Sequence, residues 1–355
     1  MPPPAPPSPP IPVGRPTPAG GNARRAHAFA PATLSNLGCG FDVLGLALEA
    51  PGDEVVASVA SGRGVVAVGV TGEEAGVPGD PTRNSAALAA QAVIDRSRLD
   101  AGVEILLRKG IPFASGLGGS AASAVAGALA TDELLGSRLD GGTLLECALQ
   151  GELSGSGSEA ADNVAASLTG GLVLALPGRP LDVVRLPLPT GLAVAVARPH
   201  LEVETRMARR LLGTEITLAA GVSQWGNTAG LVAGLFREDW ELIARCLRDE
   251  VAEPVRAGLV PGFREARAAA LQAGSLGAGL SGSGPAVFAL CRDRNVAECA
   301  ADAMQKVFGE HSGHRCDAFV SAAGAPGAQI IPASTRAPAG DGAPTPPPAS
   351  QSRVR

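Results

Sequence analysis

The stretch Pro112-Phe113-Ala114-Ser115-Gly116-Leu117-Gly118-Gly119-Ser120-Ala121-Ala122-Ser123-Ala124 is the most informative part of the chain. It holds three glycines and three serines in a short segment, and an Ala-rich run follows. Glycine lets several backbone N–H groups approach one ligand. A helix that begins directly behind such a loop points the positive end of its dipole at the same place. The stretch therefore predicts a phosphate-binding loop over 112–119 in front of a helix over 120–135.

This glycine-rich loop (residues 112–119) differs from the two commonest phosphate-binding loops. It has no Lys-Ser or Lys-Thr pair to close it, as a Walker loop needs, and it is not a Gly-x-Gly-x-x-Gly turn followed by an acidic residue about twenty positions later. Because the chain contains 47 glycines, composition alone is the alternative explanation of the loop. The rest of the sequence has to decide between the two.

The composition favours a globular chain of two domains. The length of 355 residues suffices for two cores, hydrophobic residues make up 45%, and the net charge is −5. No Lys/Arg cluster with interleaved aromatic residues is present, which argues against a nucleic-acid partner. No apolar run is long enough to span a bilayer, so we expect no membrane partner either. The six cysteines form no Cys-x-x-Cys pair, which argues against zinc and favours a reducing cytoplasm.

The chain divides into four parts by composition. Residues 1–22 are Pro-rich and residues 326–355 are Pro/Ala-rich, and we expect both to be disordered because so few bulky apolar groups cannot offset the entropy of ordering them. Strands followed by helices between these tails predict two α+β domains. We place the N-terminal, nucleotide-binding domain at 23–185 and the C-terminal domain at 186–325, with the break in the Pro-rich region 177–189.

Local patterns predict the elements within these domains. Short apolar runs between turn residues predict strands, and apolar residues at helical spacing predict helices, the first of which has Asn84 at its N-cap. The predicted strands cover residues 27–30, 55–59, 103–108, 172–176, 192–197, 286–291 and 316–321. The predicted helices cover residues 84–96, 120–135, 141–152, 204–212, 223–236, 239–247, 260–273 and 296–308. Residues 36–49 are expected to form a glycine-bearing loop and a short apolar segment.

Five further segments accompany the glycine-rich loop, in a fixed order. They are Ala-Pro-Ala-Thr-Leu-Ser-Asn-Leu-Gly-Cys-Gly-Phe-Asp-Val-Leu-Gly (30–45), Gly-Glu-Leu (151–153) with Ala-Asp-Asn-Val-Ala (161–165), Thr-x-x-Ala-Arg (205–209), Glu-Pro-Val-Arg-x-x-Leu-Val-Pro (253–261) and Gly-Ala-Gly-Leu-Ser-Gly-Ser-Gly-Pro (277–285). Together they resemble the GHMP small-molecule kinases, and within that family the branch that phosphorylates homoserine. The resemblance runs from about residue 26 to 321, which makes a compositional origin of the loop a poor explanation.

The resemblance implies a fold and an activity. The expected fold is the two-domain GHMP kinase fold, with an N-terminal domain like domain 2 of ribosomal protein S5 and a ferredoxin-like C-terminal domain. The expected reaction is ATP-dependent, Mg²⁺-assisted phosphorylation of the L-homoserine hydroxyl to O-phospho-L-homoserine, in threonine biosynthesis. Phosphoryl transfer rests on positioning and on neutralising charge, which suits these motifs. The oligomeric state is left open, although dimers are common in the family and a homodimer is one expectation.

Residues of the family's site carry over position by position. The implied nucleotide-binding residues are Asn84, Pro112, Phe113, Ala114, Ser115, Gly116, Leu117, Gly118, Gly119, Ser120, Ala121 and Ala122. The implied magnesium ligands are Ser120 and Glu152. The implied substrate-binding residues are Asn36, Asp42, Asn163, Arg209 and Arg256, of which Asp42, Asn163 and Arg209 also form the catalytic group.

The chemistry of these side chains suits an amino acid substrate. Asp42 would pair with the ammonium group or, as an alternative, take the proton of the hydroxyl. Arg209 and Arg256 would hold the carboxylate, because a guanidinium donates two parallel hydrogen bonds. Each residue also has an ordinary interpretation: helix capping for Asn84 and Asn163, an exposed helix carboxylate for Glu152, and surface charges for the arginines.

The sequence departs from the family at two places. Ala160 stands where the family commonly has His, which removes a polar substrate contact worth about 0.5–1.5 kcal/mol, although Glu159 could reach the site instead. Gly119 stands where Ser is frequent, which costs only a hydroxyl. Two alternatives to homoserine phosphorylation therefore stay open. One is a GHMP kinase for another alcohol of the mevalonate, sugar or threonine type, and the other is a catalytically silent relative that binds a nucleotide.

Overall fold

The computed structural model describes residues 24–73, 76–156, 160–178 and 180–332. The predicted N-terminal tail (1–22) lies outside these residues, as do the greater part of the predicted C-terminal tail (333–355) and Glu159. No helix within the described ranges is long and apolar enough to cross a membrane.

The described chain forms two β-sheets with helices packed on them. The strands are β1 Arg25–Asn36, β2 Gly40–Ala60, β3 Gly64–Gly72, β4 Gly102–Lys109, β5 Leu172–Leu176, β6 Asp182–Leu186, β7 Ala193–Pro199, β8 Gly277–Leu280, β9 Val287–Cys291, β10 Cys316–Ala322 and β11 Gln329–Ile330. The helices are α1 Ser85–Ser97, α2 Gly119–Leu135, α3 Gly141–Ser156, α4 Ala161–Thr169, α5 Thr205–Arg210, α6 Leu218–Arg237, α7 Trp240–Cys246, α8 Glu253–Arg256, α9 Phe263–Gln272 and α10 Arg294–Val307.

The first sheet contains seven strands in the order β11-β1-β2-β4-β3, with β5 beside β2 and β6 beside β5. All pairs are antiparallel except β3 with β4. Half of β2 shows the alternating burial of a strand with one covered face, since Asp53, Val55 and Ala57 are buried while Glu54 and Val56 are half-exposed. This sheet carries the helices that hold the glycine-rich loop.

Helix α2 lies in the middle of the unit that is built on the first sheet. It is buried on every side from Ala121 to Thr131, as expected for a helix that is apolar all round. Its small residues permit close approach, because a Cβ on Gly127 would lie 2.3 Å from Ala86 O of α1. Similarly, a Cβ on Gly151 of α3 would lie 2.6 Å from Ala89 Cβ. The alanines and glycines of this region are therefore packing residues, and they fix the start of α2 in place.

The second sheet has four antiparallel strands in the order β10-β7-β9-β8. Strands β7, β8 and β9 are almost wholly buried, whereas β10 is mostly half-exposed. Val194, Val196 and Phe288 belong to the large core shared with the first sheet, whereas Ala195 and Ala289 pack with α9 and α10 in a separate cluster. The fold is therefore two layered α+β units with a common core between them, in agreement with the expected fold class.

The predicted elements exist, but several boundaries and short elements differ. Residues 36–49 are mostly strand, because β2 begins at Gly40 and continues to Ala60. Helix α4 and strands β3, β6 and β8 are absent from the sequence prediction. The prediction of a disordered tail from residue 326 is wrong for 326–332, since Ile330 pairs with Ala28 and extends the first sheet. Such short strands are stabilised by a partner far away in the sequence, so a local pattern does not reveal them.

The domain boundary at 185/186 remains a proposal. Strand β6 ends at Leu186 and the second sheet begins at Ala193, which is compatible with it. Two observations complicate a simple division: β11 returns to the first sheet, and Leu231, Leu235 and Ile243 of α6 and α7 belong to the large shared core.

Candidate active site

The glycine-rich loop borders a cavity of about 380 Å³. Gly116 (φ 77°) and Gly118 (φ 65°) have left-handed backbone conformations, which glycine adopts at little cost. Gly118 is the N-cap of α2 and no side chain caps the helix. The first helical bond runs from Ala122 N to Gly118 O, so the N–H groups of residues 119–121 precede it and are available to an anion.

Most of the predicted nucleotide-binding residues line this cavity. Those that do are Asn84, Pro112, Phe113, Ala114, Ser115, Gly116, Gly118, Gly119, Ser120 and Ala121. Leu117 and Ala122 are exceptions, because both are buried in the hydrophobic core. The apolar side chain of Leu117 anchors the loop, and its carbonyl accepts a hydrogen bond from Thr33 N at 3.0 Å.

A buried ionic network lies beneath the loop, and the sequence analysis missed it. Lys109 Nζ donates to Asp53, to Gly119 O at 3.0 Å and to Ser123 Oγ at 3.1 Å. Asp53 also accepts the backbone N–H groups of Gly110 and Ile111, each at 3.1 Å. The network ties β2, β4 and the first turn of α2 together. The only sequence signal for it is an acidic and a basic residue within apolar strands.

Asn84 is a helix cap in this structure. Its Oδ1 accepts from Ala86 N at 3.0 Å and Ala87 N at 3.2 Å, and its Nδ2 donates to Pro78 O at 2.8 Å. The side chain is buried but borders the cavity. The capping interpretation is therefore confirmed, and a contact with a base would have to use the second amide hydrogen.

Ser120 and Glu152 lie side by side at the cavity. Ser120 Oγ donates to Glu152 Oε1 at 2.8 Å. Glu152 is only 2% exposed, so it is not an ordinary solvated carboxylate. One carboxylate and one hydroxyl are hard oxygen donors of the kind Mg²⁺ binds, with phosphate oxygens and water completing its shell. Within the described part of the chain no group of three or more His, Cys, Asp or Glu could hold a metal by itself.

A second group of charged residues surrounds Phe41. Arg209 and Arg256 both lie 5.3 Å from the centre of its ring, within the range of a cation–π contact. Arg209 Nη1 also donates to Asp42 Oδ2 at 2.5 Å. Arg256 is 4% exposed, and both burial and the nearby charge of Arg209 lower its pKa. Its Nε is buried and has no hydrogen-bond partner among the described residues, so a donor is left for a ligand.

The turn that carries Asn36 and Asp42 has an unusual backbone. Asn36 (φ 70°), Leu37 (φ 39°) and Asp42 (φ 59°) are all left-handed. Asn36 Oδ1 accepts from Asp42 N at 3.2 Å. Non-glycine residues keep such conformations only where the surroundings hold them, and this occurs most often at functional sites.

Helix α4 places an acidic residue and an amide against this turn. Asn163 Oδ1 accepts from Thr33 Oγ1 at 2.7 Å, and Asn163 lines the cavity. Asn163 is therefore not a helix cap. Asp162, which the predicted site did not include, is 2% exposed, and its Oδ2 has no hydrogen-bond partner in the described structure. Burial, and then the charge of Asp42, raise the pKa of Asp162 to about 7.

The turn at 281–285 joins the two groups. Ser281 Oγ donates to Gly116 O at 2.6 Å, and Arg256 Nη1 donates to Gly282 O at 3.0 Å. Gly282 and Ser283 line the cavity, as do Thr205 and Arg206 of α5. The cluster around Phe41 itself does not line the cavity but adjoins it through this turn and through Asn163. The cavity and the cluster around Phe41 are therefore neighbours, and Ala160 also lines the cavity.

Two family models match this chain. Residues 84–171 match the model described as GHMP kinases N terminal domain, and residues 231–310 match GHMP kinases C terminal. The chain is 40% identical to a homoserine kinase of Chloroherpeton thalassium over 318 residues, which covers 87% of this chain and 100% of that protein. It is 38% identical to a homoserine kinase of Xylella fastidiosa, with 87% and 95% covered.

Solved structures show the same relationship. A homoserine kinase from Cytophaga hutchinsonii superposes with a TM-score of 0.84 at 41% identity, covering 89% of this chain and 100% of that one. A mevalonate kinase of L. major with bound R-mevalonate has a TM-score of 0.61 at 14% identity, with 86% and 97% covered. This second likeness concerns the fold alone.

Proposed function

The chain belongs to the GHMP kinases and, within them, to the homoserine kinases, and from this premise we propose how its residues perform the reaction. The activity is ATP-dependent phosphorylation of the side-chain hydroxyl of L-homoserine, which yields O-phospho-L-homoserine for threonine biosynthesis. Phosphoryl transfer needs two reactants held in line and a neutralised triphosphate.

The pairing of Asp42 with Arg209 beside the buried Arg256 is the observation that carries the proposal. An amino acid has an ammonium and a carboxylate close together, so it would replace this internal ion pair with two new ones. The ammonium would bind Asp42, and the carboxylate would bind Arg209 and the unpartnered Nε of Arg256. A neutral alcohol would lose the internal pair and gain no replacement, which favours a zwitterionic substrate.

The hydroxyl of homoserine would attack the γ-phosphorus directly. Asp42 is engaged with Arg209, so we assign it to ammonium binding rather than to proton abstraction. A loose transition state needs little help from a general base. Asn163 lies on the cavity side of the substrate cluster, and we assign it to orienting the hydroxyl. We assign Asn36 a role in substrate binding because its side chain stabilises the turn that carries Asp42.

The triphosphate would lie against the glycine-rich loop. The amides before Ala122 and the dipole of α2 would bind its oxygens, with Asn84 at the base end of the cavity. Ser120 and Glu152 would hold Mg²⁺, whose chemistry here is neutralisation of phosphate charge. The six cysteines are unpaired in the structure, which supports a reducing, cytoplasmic setting.

The test is ATP consumption by the purified protein with and without L-homoserine. We expect ADP release that depends on homoserine and on Mg²⁺, with little turnover of L-threonine, mevalonate or galactose. The Asp42→Asn variant should lose about 10- to 100-fold in kcat/KM for homoserine, the value of a charge-assisted hydrogen bond, with the KM for ATP nearly unchanged. The matched control is Asp317→Asn, which removes a carboxylate that pairs with Arg198 within the second sheet. ADP release without any dependence on homoserine would contradict the proposal.

A further inference from the structure

Arg206 of α5 is a cation at the cavity to which the proposed function assigns no role. Its side chain is exposed, and it lines the cavity together with the glycine-rich loop. Within the described ranges its guanidinium forms no ion pair and no hydrogen bond. An unpaired arginine on open surface is ordinary, whereas one that borders a cavity for a triphosphate has a ligand of opposite charge available.

The cavity has little free positive charge for a triphosphate. Its charged lining residues are Arg83, Lys109, Glu152, Glu204 and Arg206. Lys109 is buried and its ammonium is already paired with Asp53, so its charge is balanced within the fold. The glycine-rich loop supplies backbone amides and a partial positive charge of about half a unit from the dipole of α2. Among the described lining residues, Arg83 and Arg206 are therefore the two whose full positive charge is left for a nucleotide.

These two arginines belong to different ends of the cavity. Arg83 directly precedes Asn84, which we assign to the base end. Arg206 directly follows Thr205, whose Oγ1 lies 3.4 Å from Ser283 Oγ in the turn that adjoins the substrate cluster. The γ-phosphate of ATP is the phosphate farthest from the base, and it has to face the acceptor hydroxyl. A nucleotide with its base near Asn84 therefore brings its γ-phosphate to the end where Arg206 lies.

Helix α5 also carries a residue of the substrate cluster. Arg209 follows Arg206 by three positions, and residues at this spacing lie on the same side of a helix. Arg209 contacts the ring of Phe41 and donates to Asp42. Ala208, between the two arginines, is buried and anchors the helix. One short helix therefore presents one guanidinium at the cavity and another at the neighbouring cluster.

We propose that Arg206 binds the γ-phosphate of ATP and stabilises the charge on the phosphoryl group during transfer, an inference that rests on the proposed function. Its planar guanidinium can donate two parallel hydrogen bonds to non-bridging phosphate oxygens. It also offsets the negative charge of Glu204, two residues before it, which lines the same cavity and would otherwise repel a phosphate.

The transfer step leaves Arg206 unchanged. The homoserine oxygen forms a bond to the γ-phosphorus, and the bond from that phosphorus to the β–γ bridging oxygen breaks. The electron pair of the broken bond stays on ADP, and the hydroxyl proton is released to water. A guanidinium keeps its own proton at any working pH, so Arg206 acts by charge and hydrogen bonding, as arginines do in other phosphoryl-transfer enzymes.

The first experiment measures nucleotide binding to the full chain by isothermal titration calorimetry with Mg²⁺ and without homoserine. The two ligands are ADP and the nonhydrolysable analogue β,γ-imido-ATP, and only the analogue has a γ-phosphate. Arg206→Gln should weaken binding of the analogue about tenfold or more and leave the Kd for ADP within about twofold, because a charge-assisted hydrogen bond is lost with the analogue alone. Arg206→Lys should recover part of the loss, since it keeps the charge without the planar fork.

Two other arginines provide matched controls. Arg83→Gln removes the same charge at the base end, so it should change the Kd values for ADP and for the analogue by the same factor. Arg210→Gln removes the same charge one turn further along α5, from an exposed residue that does not line the cavity, and should leave both Kd values unchanged. Equal weakening of the two ligands by Arg206→Gln, or no weakening of the analogue, overturns the assignment to the γ-phosphate.

Steady-state kinetics extend the test to the reaction. Arg206→Gln should lower kcat about 10- to 100-fold with little change in the KM for homoserine. Wild-type turnover of homoserine together with a fully active Arg206→Gln variant would refute this role of Arg206 and leave the proposed function standing. Conversely, ADP release by the wild type that ignores homoserine, with selective loss of analogue binding in Arg206→Gln, would refute the proposed function and leave the phosphate contact standing.

Discussion

At the scale of single residues, the least expected feature of the site is the carboxyl group of Asp162. It is buried at the start of α4, and the charged groups that act on it are Asp42 of β2 and Arg256 of α8. Burial and the repulsion from Asp42 raise its pKa from 3.8 to about 7. The Asp162 carboxyl therefore carries a proton over much of the acidic range, which limits the negative charge beside Asp42 and Arg256.

The raised pKa of Asp162 makes stability depend on pH. Because the folded state binds this proton more tightly than the unfolded state, the contribution is complete below about pH 4 and is lost as the pH rises through about 7. Between these values the free energy of unfolding should fall by about 1.4 kcal/mol per pH unit from this group. Asp162→Asn should abolish that slope in urea titrations at a series of pH values.

Asp80→Asn is the control for this experiment. The carboxyl of Asp80 is fully exposed, and hydrogen bonds from Thr82 lower its pKa, so it stays ionised in both states above pH 5. Its variant should keep the wild-type slope. Equal slopes for wild type and Asp162→Asn would show that the Asp162 carboxyl is ionised in the folded protein.

Lys109 provides a second prediction about a buried charge. Lys109→Met leaves the carboxylate of Asp53 buried without its cation, which should cost about 3–5 kcal/mol in the free energy of unfolding. Urea denaturation without nucleotide measures it, since Lys109 also borders the cavity. Arg96→Ala breaks an exposed pair with Glu146 and should cost about 0–1 kcal/mol. Similar losses in the two variants would contradict the importance assigned to burial.

At the scale of elements, α2 is the helix that positions the glycine-rich loop. Its body is held by alanine packing on every side, so its first turn and the glycine-rich loop have a fixed place. Both of its ends are left-handed glycines, Gly118 at the start and Gly136 at the end. The two glycines share a backbone conformation and differ in what surrounds them, which allows a matched comparison.

Gly118→Ala and Gly136→Ala should separate strain from damage to the site. Each places a Cβ on a left-handed residue at a cost of roughly 1–2 kcal/mol. At Gly118 the Cβ would also lie 2.1 Å from Thr33 Oγ1 and 2.8 Å from Asn163 Oδ1, whereas at Gly136 it meets nothing within 4 Å. We expect Gly118→Ala to raise the KM for ATP at least about tenfold, and Gly136→Ala to leave it unchanged. Steady-state kinetics with both variants would refute the assignment if the two KM values agreed.

At the scale of the whole molecule, hydrogen bonds between the two halves of the chain fix the relative position of the parts that form the candidate site. Ser281 of the turn after β8 bonds to Gly116 of the glycine-rich loop. On another side, Glu49 N donates to Ser321 Oγ at 2.9 Å, and Glu49 Oε2 accepts from Ala322 N at 2.9 Å. These bonds join β2 to β10 and the glycine-rich loop to the turn after β8, so the predicted nucleotide and substrate groups keep their relative position.

Ser281→Ala tests this connection. Losing the hydrogen bond to Gly116 O should cost about 1–3 kcal/mol and lower kcat/KM for both substrates, because the turn at 281–285 contacts both groups. Ser275→Ala is the matched control, since Ser275 Oγ is buried without a hydrogen-bond partner in the described structure and its loss should be neutral. Unchanged kinetics for Ser281→Ala would mean that packing alone positions the turn.

The outcome of prediction from sequence depended on how local each signal was. The glycine-rich loop and the start of α2 could be predicted, because a glycine-rich loop before an alanine run is a local pattern. The network of Asp53 with Lys109 could not, because its partners are 56 positions apart and each alone looks like an ordinary strand residue. Helix α4 escaped prediction because it is short and has no side-chain cap.

By itself, the sequence predicted a loop of glycines for phosphate, and its resemblance to the GHMP kinases supplied two arginines and an aspartate as candidates for binding a zwitterion and two oxygen ligands as candidates for a hard cation. Those properties belong to individual side chains and to short runs of backbone, so order along the chain is enough to recognise them. Only the tertiary structure decided that Arg209 and Asp42 pair, that Asp162 is buried beside them, and that Arg206 lies exposed at the cavity. Pairing, pKa and exposure depend on distances and solvent between parts remote in sequence, and packing alone sets those.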